Sequence, residues 1–382
     1  MMDISFRTRQ LNHLFSYDKK TEINDTKLAI IPYRFIQKKG ADEISAFQRT
    51  LTTTDFCSAT DDCIQENTDF SYLVFTPDGK AKRDKAIILL HGLNERTWEK
   101  YLTWAEYLVN TTGKPVILFP IAFHMNRSPE IWNNPRITLP WVKTRQKEVD
   151  DVSDSTFANV ALSSRISRHP LRFYASGRES VFNLWQLVHE IKNGEHPVFK
   201  EDTSINLFAY SIGALLSQVL LLANPDQLFS HTRLFMFCGG SIFNLMNGNA
   251  RDILDSEAFD SLQQYFNHDF LEKRLPPALF ESDGLEKAFK SMIRPEIMQA
   301  YRESFFQSTC HRIRAISLKK DVVIPTLGVV RALGKASEKI LEELDFPFAY
   351  THQIPFPVRS KTDPGLINQA FLQIFNKAAA FL

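Results

Sequence analysis

Three residue types that together can make and break an acyl bond occur in this chain in a usable order: a serine, then an aspartate, then a histidine. The serine is Ser211, within Ile205-Asn-Leu-Phe-Ala-Tyr-Ser-Ile-Gly213. A β-like apolar run precedes it, and the strongly apolar run from Ile212 to Ala223 suits a buried helix. A serine presented on a tight strand-to-helix turn has strained dihedrals, so the residues two before and two after it must be small. Gly213 meets that condition, and Ala209 meets it with one extra methyl group. The competing reading of Ser211 is an ordinary N-cap opening a helix.

A serine nucleophile needs a base, and the base needs an orienting acid. Asp321 lies just beyond the strand-like Ile313–Leu318, in Lys319-Lys-Asp-Val-Val-Ile-Pro325. The alternative for it is a solvated turn aspartate. His352, in Phe348-Ala-Tyr-Thr-His-Gln-Ile-Pro355, ends an expected short strand over 347–351. The other histidines fit less well: most precede or flank Ser211, and His268 and His311 both precede Asp321. An ordinary surface histidine is the competing reading of His352. Acyl transfer also needs two N–H donors aimed at the developing oxyanion. The residue after the serine nominates Ile212. The apolar run Lys85–Leu90 ends in His91-Gly92, which nominates Leu93 in the loop beyond it.

Rival chemistry is weaker. Ser241 follows Gly239-Gly240 with no apolar helix directly behind it, Ser176-Gly177 lacks a buried strand before it, and Cys238 reads as a small buried hydrophobe. No His-Glu-x-x-His, Cys/His ligand spacing, phosphate loop or Gly-x-Gly-x-x-Gly is present, so no metal and no cofactor is expected.

The elements that must position these residues alternate. Strands are expected at 71–76, 85–90, 115–120, 205–209, 233–238, 313–318 and 347–351. Helices are expected at 97–109, closed by Gly113, and at 178–192, 212–223, 329–344 and 366–382. Alternation of this kind predicts an α/β fold with a mostly parallel sheet covered by helices on both faces. Residues 1–70 read as an N-terminal extension packed on the core. The core itself spans 71–242 and 309–382, broken by a polar excursion at 124–175. Residues 243–308 read as a helical lid insertion.

Together, Ala86-Ile-Ile-Leu-Leu-His-Gly-Leu93, Phe208-Ala-Tyr-Ser-Ile-Gly213, Lys320-Asp-Val-Val-Ile-Pro325 and Tyr350-Thr-His352 resemble the successive landmarks of the α/β-hydrolase superfamily over roughly residues 70–382. That resemblance implies an eight-stranded, mostly parallel sheet and a Ser211–His352–Asp321 triad. Asp321 would hold the His352 tautomer, His352 would take the Ser211 proton, and the Leu93 and Ile212 N–H groups would hold the oxyanion. Ala209, the 124–175 excursion and residues 1–70 depart from the pattern.

Composition bounds the setting. The chain has 382 residues, 44% apolar and 23% charged, with formal net charge +1. That balance carries no surplus for nucleic acid or an anionic membrane. Met1–Lys20 lacks a leader-like apolar core, and no run spans a bilayer, so no stable membrane insertion and a cytoplasmic location are expected. Of four cysteines, Cys57 and Cys63 are near enough to bridge in an oxidising compartment. The 31 Phe residues predict an aromatic core. Aromatics in the two excursions, such as Trp132 and Phe266, favour an apolar acyl or aryl group, while Arg127, Arg145 and Arg165 read as a solvated basic loop in preference to a carboxylate site. A serine hydrolase acting on a small-molecule ester is the leading expectation. A non-catalytic binding protein on the same scaffold, or an acyltransferase, is the alternative. Oligomeric state has no signature here.

Overall fold

The computed structural model describes residues 3–38, 61–79, 81–150, 152–272 and 284–382. Among the described residues nine strands form one sheet: β1 (Thr21–Ile23), β2 (Leu28–Ile36), β3 (Asp69–Pro77), β4 (Arg83–Leu90), β5 (Val116–Leu118), β6 (Phe199–Tyr210), β7 (Leu234–Phe237), β8 (Ile313–Leu318) and β9 (Leu341–Leu344). Their spatial order is β1-β2-β3-β5-β4-β6-β7-β8-β9. The six strands from β5 to β9 run parallel, and β1, β2 and β3 pair antiparallel along one side. The count exceeds the eight implied by resemblance because the chain turns back at Lys27 (φ 54°) and lays three-residue β1 on β2.

The near-continuous apolar strands follow from burial on both faces. In β4, Ala86, Ile88 and Leu90 enter one core, while Ile87 and Leu89 enter the other. The first core packs helices Leu171–Lys192 and Ile212–Ala223 against the sheet; the second packs Ile4–Leu14, Glu99–Thr112 and Pro364–Phe381. The helix Glu99–Thr112 stops at Gly113, whose φ of 69° suits a residue without Cβ.

Residues 21–36 continue the sheet: β2 pairs with β3 along nine residues, from Leu28–Pro77 to Ile36–Asp69. Cys57, one of the two cysteines near enough in sequence to bridge, lies outside the described residues. The two excursions meet each other. Helix Ser256–Gln264 packs on Val160–Arg168, and Gly284–Ser291 packs on Ile212–Ala223. They form one cap on the face that carries the first core.

Near the C-terminus the expected elements shift. The helix expected over 329–344 ends at Leu333, because Gly334 turns the chain at φ 56° under Glu303, where a Cβ would sit 2.4 Å from the carboxyl carbon. Leu341–Leu344 then pairs with β8 as the parallel edge. The expected strand over 347–351 does not form. That stretch is irregular, and Phe346, Phe348, Tyr350 and Phe356 stack on one another instead.

Among the described residues no helix is long and apolar enough to cross a membrane.

Candidate active site

The sheet reverses its winding at β4. The chain leaves β4 for β5 on one side and returns to β6 on the other, which opens a crevice at the carboxyl ends of β4 and β6. His91 follows β4 and Ser211 follows β6, so both stand at that crevice.

Ser211 has φ 55° and ψ −122°, a conformation that costs an L-residue on the order of 1–3 kcal/mol. The turn is tight enough to dictate its neighbours. A Cβ on Gly213 would lie 2.8 Å from the carbonyl oxygens of both Leu90 and His91, and the Gly213 N–H donates to His91 O at 3.1 Å. A Cβ on Gly239 would lie 2.8 Å from Ser211 O. The Ala209 position is less demanding: its methyl is buried in the first core, on β6 between Leu90 and Met236. The helix that starts at Ile212 leaves the Ile212 N–H without an intrahelical partner.

The three residues nominated from sequence come together. The Ser211 hydroxyl lies 2.7 Å from His352 Nε2, and His352 Nδ1 lies 2.7 Å from Asp321 Oδ2. Asp321 is no solvated turn residue: its Oδ1 accepts the N–H groups of Val323 (3.0 Å) and Ile324 (2.9 Å). An ionised carboxylate only accepts, so Nδ1 carries the proton and Nε2 is left to accept from the serine. Each of the three residues is only 4% exposed, which strengthens these bonds by keeping water away.

His352 sits in irregular chain, so side chains hold it. The Tyr210 phenol donates to the His352 carbonyl, and the two rings stack with centroids 5.5 Å apart and planes 19° apart. Burial pushes the Tyr210 pKa well up, which keeps the phenol protonated and able to donate. Lys100 lies 4.6 Å from the Tyr210 ring, donates to Gln353 O at 2.9 Å and pairs with Glu95. Glu95 also accepts from the Tyr101 hydroxyl at 3.1 Å, and that hydroxyl accepts the Gly92 N–H at 3.0 Å. The loop after β4 and the loop bearing His352 are thus tied through Lys100. Sequence reasoning missed Tyr210, Lys100 and Tyr101, although Tyr210 adjoins the serine.

Two neutral histidines shape the other side. His91 donates from Nδ1 to Gly92 O (2.8 Å) and accepts the Ile121 N–H at Nε2 (2.9 Å). Desolvation holds its pKa well below the ordinary value. His124 donates from Nδ1 to Ala122 O, and burial pushes its pKa down to about 4. Leu93 follows in the same loop, and among the described residues no acceptor pairs with its N–H. Asn94 (φ 58°) then anchors the loop to the cap, donating to Ala158 O at 2.8 Å and Asp252 O at 2.9 Å.

Two cavities meet at this loop and share Leu93, His124 and Phe173 as walls. The first is apolar, lined by Ile212, Leu216, Val219 and Phe289 among others. The second carries Arg96, Phe123, Trp132 and Arg165. Neither is lined by Ser211 or His352; the first approaches the elbow at Leu93 and Ile212, the second at Leu93 alone. Of the excursion aromatics singled out in sequence, Trp132 lines a cavity, whereas Phe266 packs in the cap core, as do Phe243 and Phe270 beside it. Phe173 and Phe289 were missed as wall residues. The basic loop is not solvated either: Arg127 meets Glu179, Arg145 meets Asp255 and Glu257, and Arg165 meets Asp61, all three arginines buried.

Six parallel strands, a strained serine at the carboxyl end of β6 and helices on both faces define an α/β-hydrolase fold. Within that class, the chain belongs to a family described as a family of unknown function (DUF6051), whose model matches residues 2–382. No curated protein matches the sequence. Among solved structures it is similar to a hyperthermophilic esterase from the archaeon Pyrobaculum calidifontis, with 10% identity and TM-score 0.46 over 98% of this chain and 90% of that one. It is also similar to the esterase LipW from Mycobacterium marinum, with 9% identity and TM-score 0.44 over 99% of this chain and 87% of the other.

Proposed function

We propose that this chain is a serine hydrolase that cleaves carboxylic esters, with Ser211 as nucleophile, His352 as general base and acid, and Asp321 as its orienting carboxylate. The observation that carries the reading is the unbroken line of short hydrogen bonds from Asp321 through His352 to a serine held on a strained elbow. His352 Nε2 takes the hydroxyl proton as Ser211 Oγ attacks the acyl carbon. The carbonyl oxygen becomes an oxyanion held by the Leu93 and Ile212 N–H groups. Its collapse breaks the bond to the alcohol, which leaves with the proton from His352. Water then attacks the acyl-enzyme, His352 takes the water proton, and the carboxylic acid departs as Ser211 regains its hydrogen.

The apolar cavity beside Ile212 suits an alkyl or aryl arm of a small-molecule substrate. Residues 243–308 act with 124–175 as the lid over this site. A fluorophosphonate probe tests the chemistry. It is expected to label the wild type and not Ser211→Ala; equal labelling of both, or of neither, overturns the reading.

A further inference from the structure

Several buried arginines in this protein are met by carboxylates. Arg7 meets Glu106 and Asp25, Arg127 meets Glu179, Arg145 meets Asp255, and Arg165 and Arg172 share Asp61. Such pairing is what the cost of desolvating a charge demands. Arg302, fully buried, is instead met at Nε and both Nη atoms by backbone carbonyls, and neither kind of complement surrounds Arg96. Arg96 is partly buried in the wall of the second cavity, three residues beyond Leu93. Among the described residues it forms no ion pair, and its one hydrogen bond runs from Nη2 to Ala158 O. Asp252 and Glu95 act on it only through space, and desolvation lowers its pKa.

The other charges in that wall are engaged. Arg165 and Arg172 hold Asp61, and Glu95 is held by Lys100 and Tyr101. His124 is neutral at pH 7, with its pKa near about 4. A guanidinium with donors to spare therefore faces a cavity that begins at a candidate oxyanion donor. Trp132 and Phe123, each with the Arg165 guanidinium over one face, supply flat apolar wall beside it.

We propose that Arg96 binds a carboxylate carried by the substrate, so that the preferred ester is an anion whose charged arm lies in the second cavity while its apolar arm lies in the first. This rests on the assignment of Ser211 as nucleophile. A single guanidinium matches a monoanionic carboxylate, whereas a phosphate dianion calls for more cationic charge than this wall leaves unpaired. The side chain acts as a specificity-determining group.

Two matched ester pairs test it. One pair is p-nitrophenyl hexanoate and the p-nitrophenyl monoester of hexanedioic acid, which places the carboxylate on the acyl arm. The other is phenyl hexanoate and para-carboxyphenyl hexanoate, which places it on the leaving group. In at least one pair the wild type is expected to favour the anion by about 10-fold or more in kcat/KM, the scale of one charge-assisted hydrogen bond. Arg96→Gln is expected to bring that ratio near unity, and Arg96→Lys to restore part of it. Because the readout is a ratio on one preparation, a partly unfolded variant does not mimic the result. Wild-type preference for the neutral ester in both pairs, or an unchanged ratio in Arg96→Gln, overturns the proposal. Calorimetric binding of the same esters to Ser211→Ala, with and without Arg96→Gln, separates the two ideas. Recognition of the anion lost with Arg96 supports this site even if no ester is turned over, while turnover without charge preference leaves the hydrolase reading standing and removes this one.

Discussion

Tyr210 and His352 lie face to face, with the phenol of the first donating to the backbone carbonyl of the second. The residue that precedes Ser211 in the chain thereby fixes the histidine proposed to act on it. Removing only the hydroxyl, in Tyr210→Phe, keeps the stack and frees the carbonyl. A misplacement of about 1 Å costs up to roughly 100-fold in rate. A fall in kcat of about 10- to 100-fold is expected, with KM within about 3-fold and a stability loss of about 1 kcal/mol. Steady-state kinetics beside urea unfolding check it; a KM effect with unchanged kcat contradicts a positioning role.

Asp321 does two jobs, accepting from His352 and from the N–H groups of Val323 and Ile324. Asp321→Asn keeps the shape but presents an amide hydrogen where the imidazole needs an acceptor. Esterase kcat is expected to drop by about four powers of ten with the fold intact. His352→Ala is expected to lose several powers of ten as well. Full activity in either variant would falsify the assignment.

The small positions around Ser211 are not equivalent. Gly213→Ala drives a methyl against two carbonyl oxygens at 2.8 Å, so a loss of about 1–3 kcal/mol and of most activity is expected. Ala209→Gly only removes a methyl from a buried strand. It is expected to lower stability by about 0.5–1 kcal/mol and leave kcat within about 3-fold. Thermal melts and ester turnover on both variants decide whether Ala209 is a tolerated departure.

Acid is expected to destabilise the fold through buried neutral histidines. His124 and His196 both have pKa values lowered to about 4, chiefly by desolvation. Between the unfolded value of about 6.5 and the folded value, the unfolded chain binds more protons, so stability falls as pH drops through that window. Each histidine contributes on the order of 3 kcal/mol of that loss by pH 4. The stability penalty of His196→Gln, measured by urea unfolding, is expected to shrink steadily from pH 7 to pH 5. A constant penalty contradicts the depressed value.

The parallel strands could be read from sequence because runs such as Ala86–Leu90 bury alternate residues in two different cores. The edge strand could not: Leu341-Glu-Glu-Leu344 leaves both glutamates exposed. Residues 347–351 have β-like composition, yet their aromatics satisfy one another without a ladder. The polar line through Ser211, Asp321 and His352 was legible because each follows strand-like sequence in the required order. Tyr210 and Lys100 left no comparable sign, since their work depends on rings and carbonyls far away in the chain. The buried arginines were misjudged for the same reason: the partners of Arg127, Arg145 and Arg165 stand 52, 110 and 104 residues away.

Asn94 fastens one side-chain amide to Ala158 on one half of the cap and to Asp252 on the other. The loop that starts at Gly92 therefore reports the position of both halves at once. A cap transplanted from another protein, however well its walls fit a new substrate, carries the wrong moorings for this loop unless two carbonyl oxygens arrive at the same places. The placement of the cap over this loop is thus set by its moorings as well as by the shape of its walls.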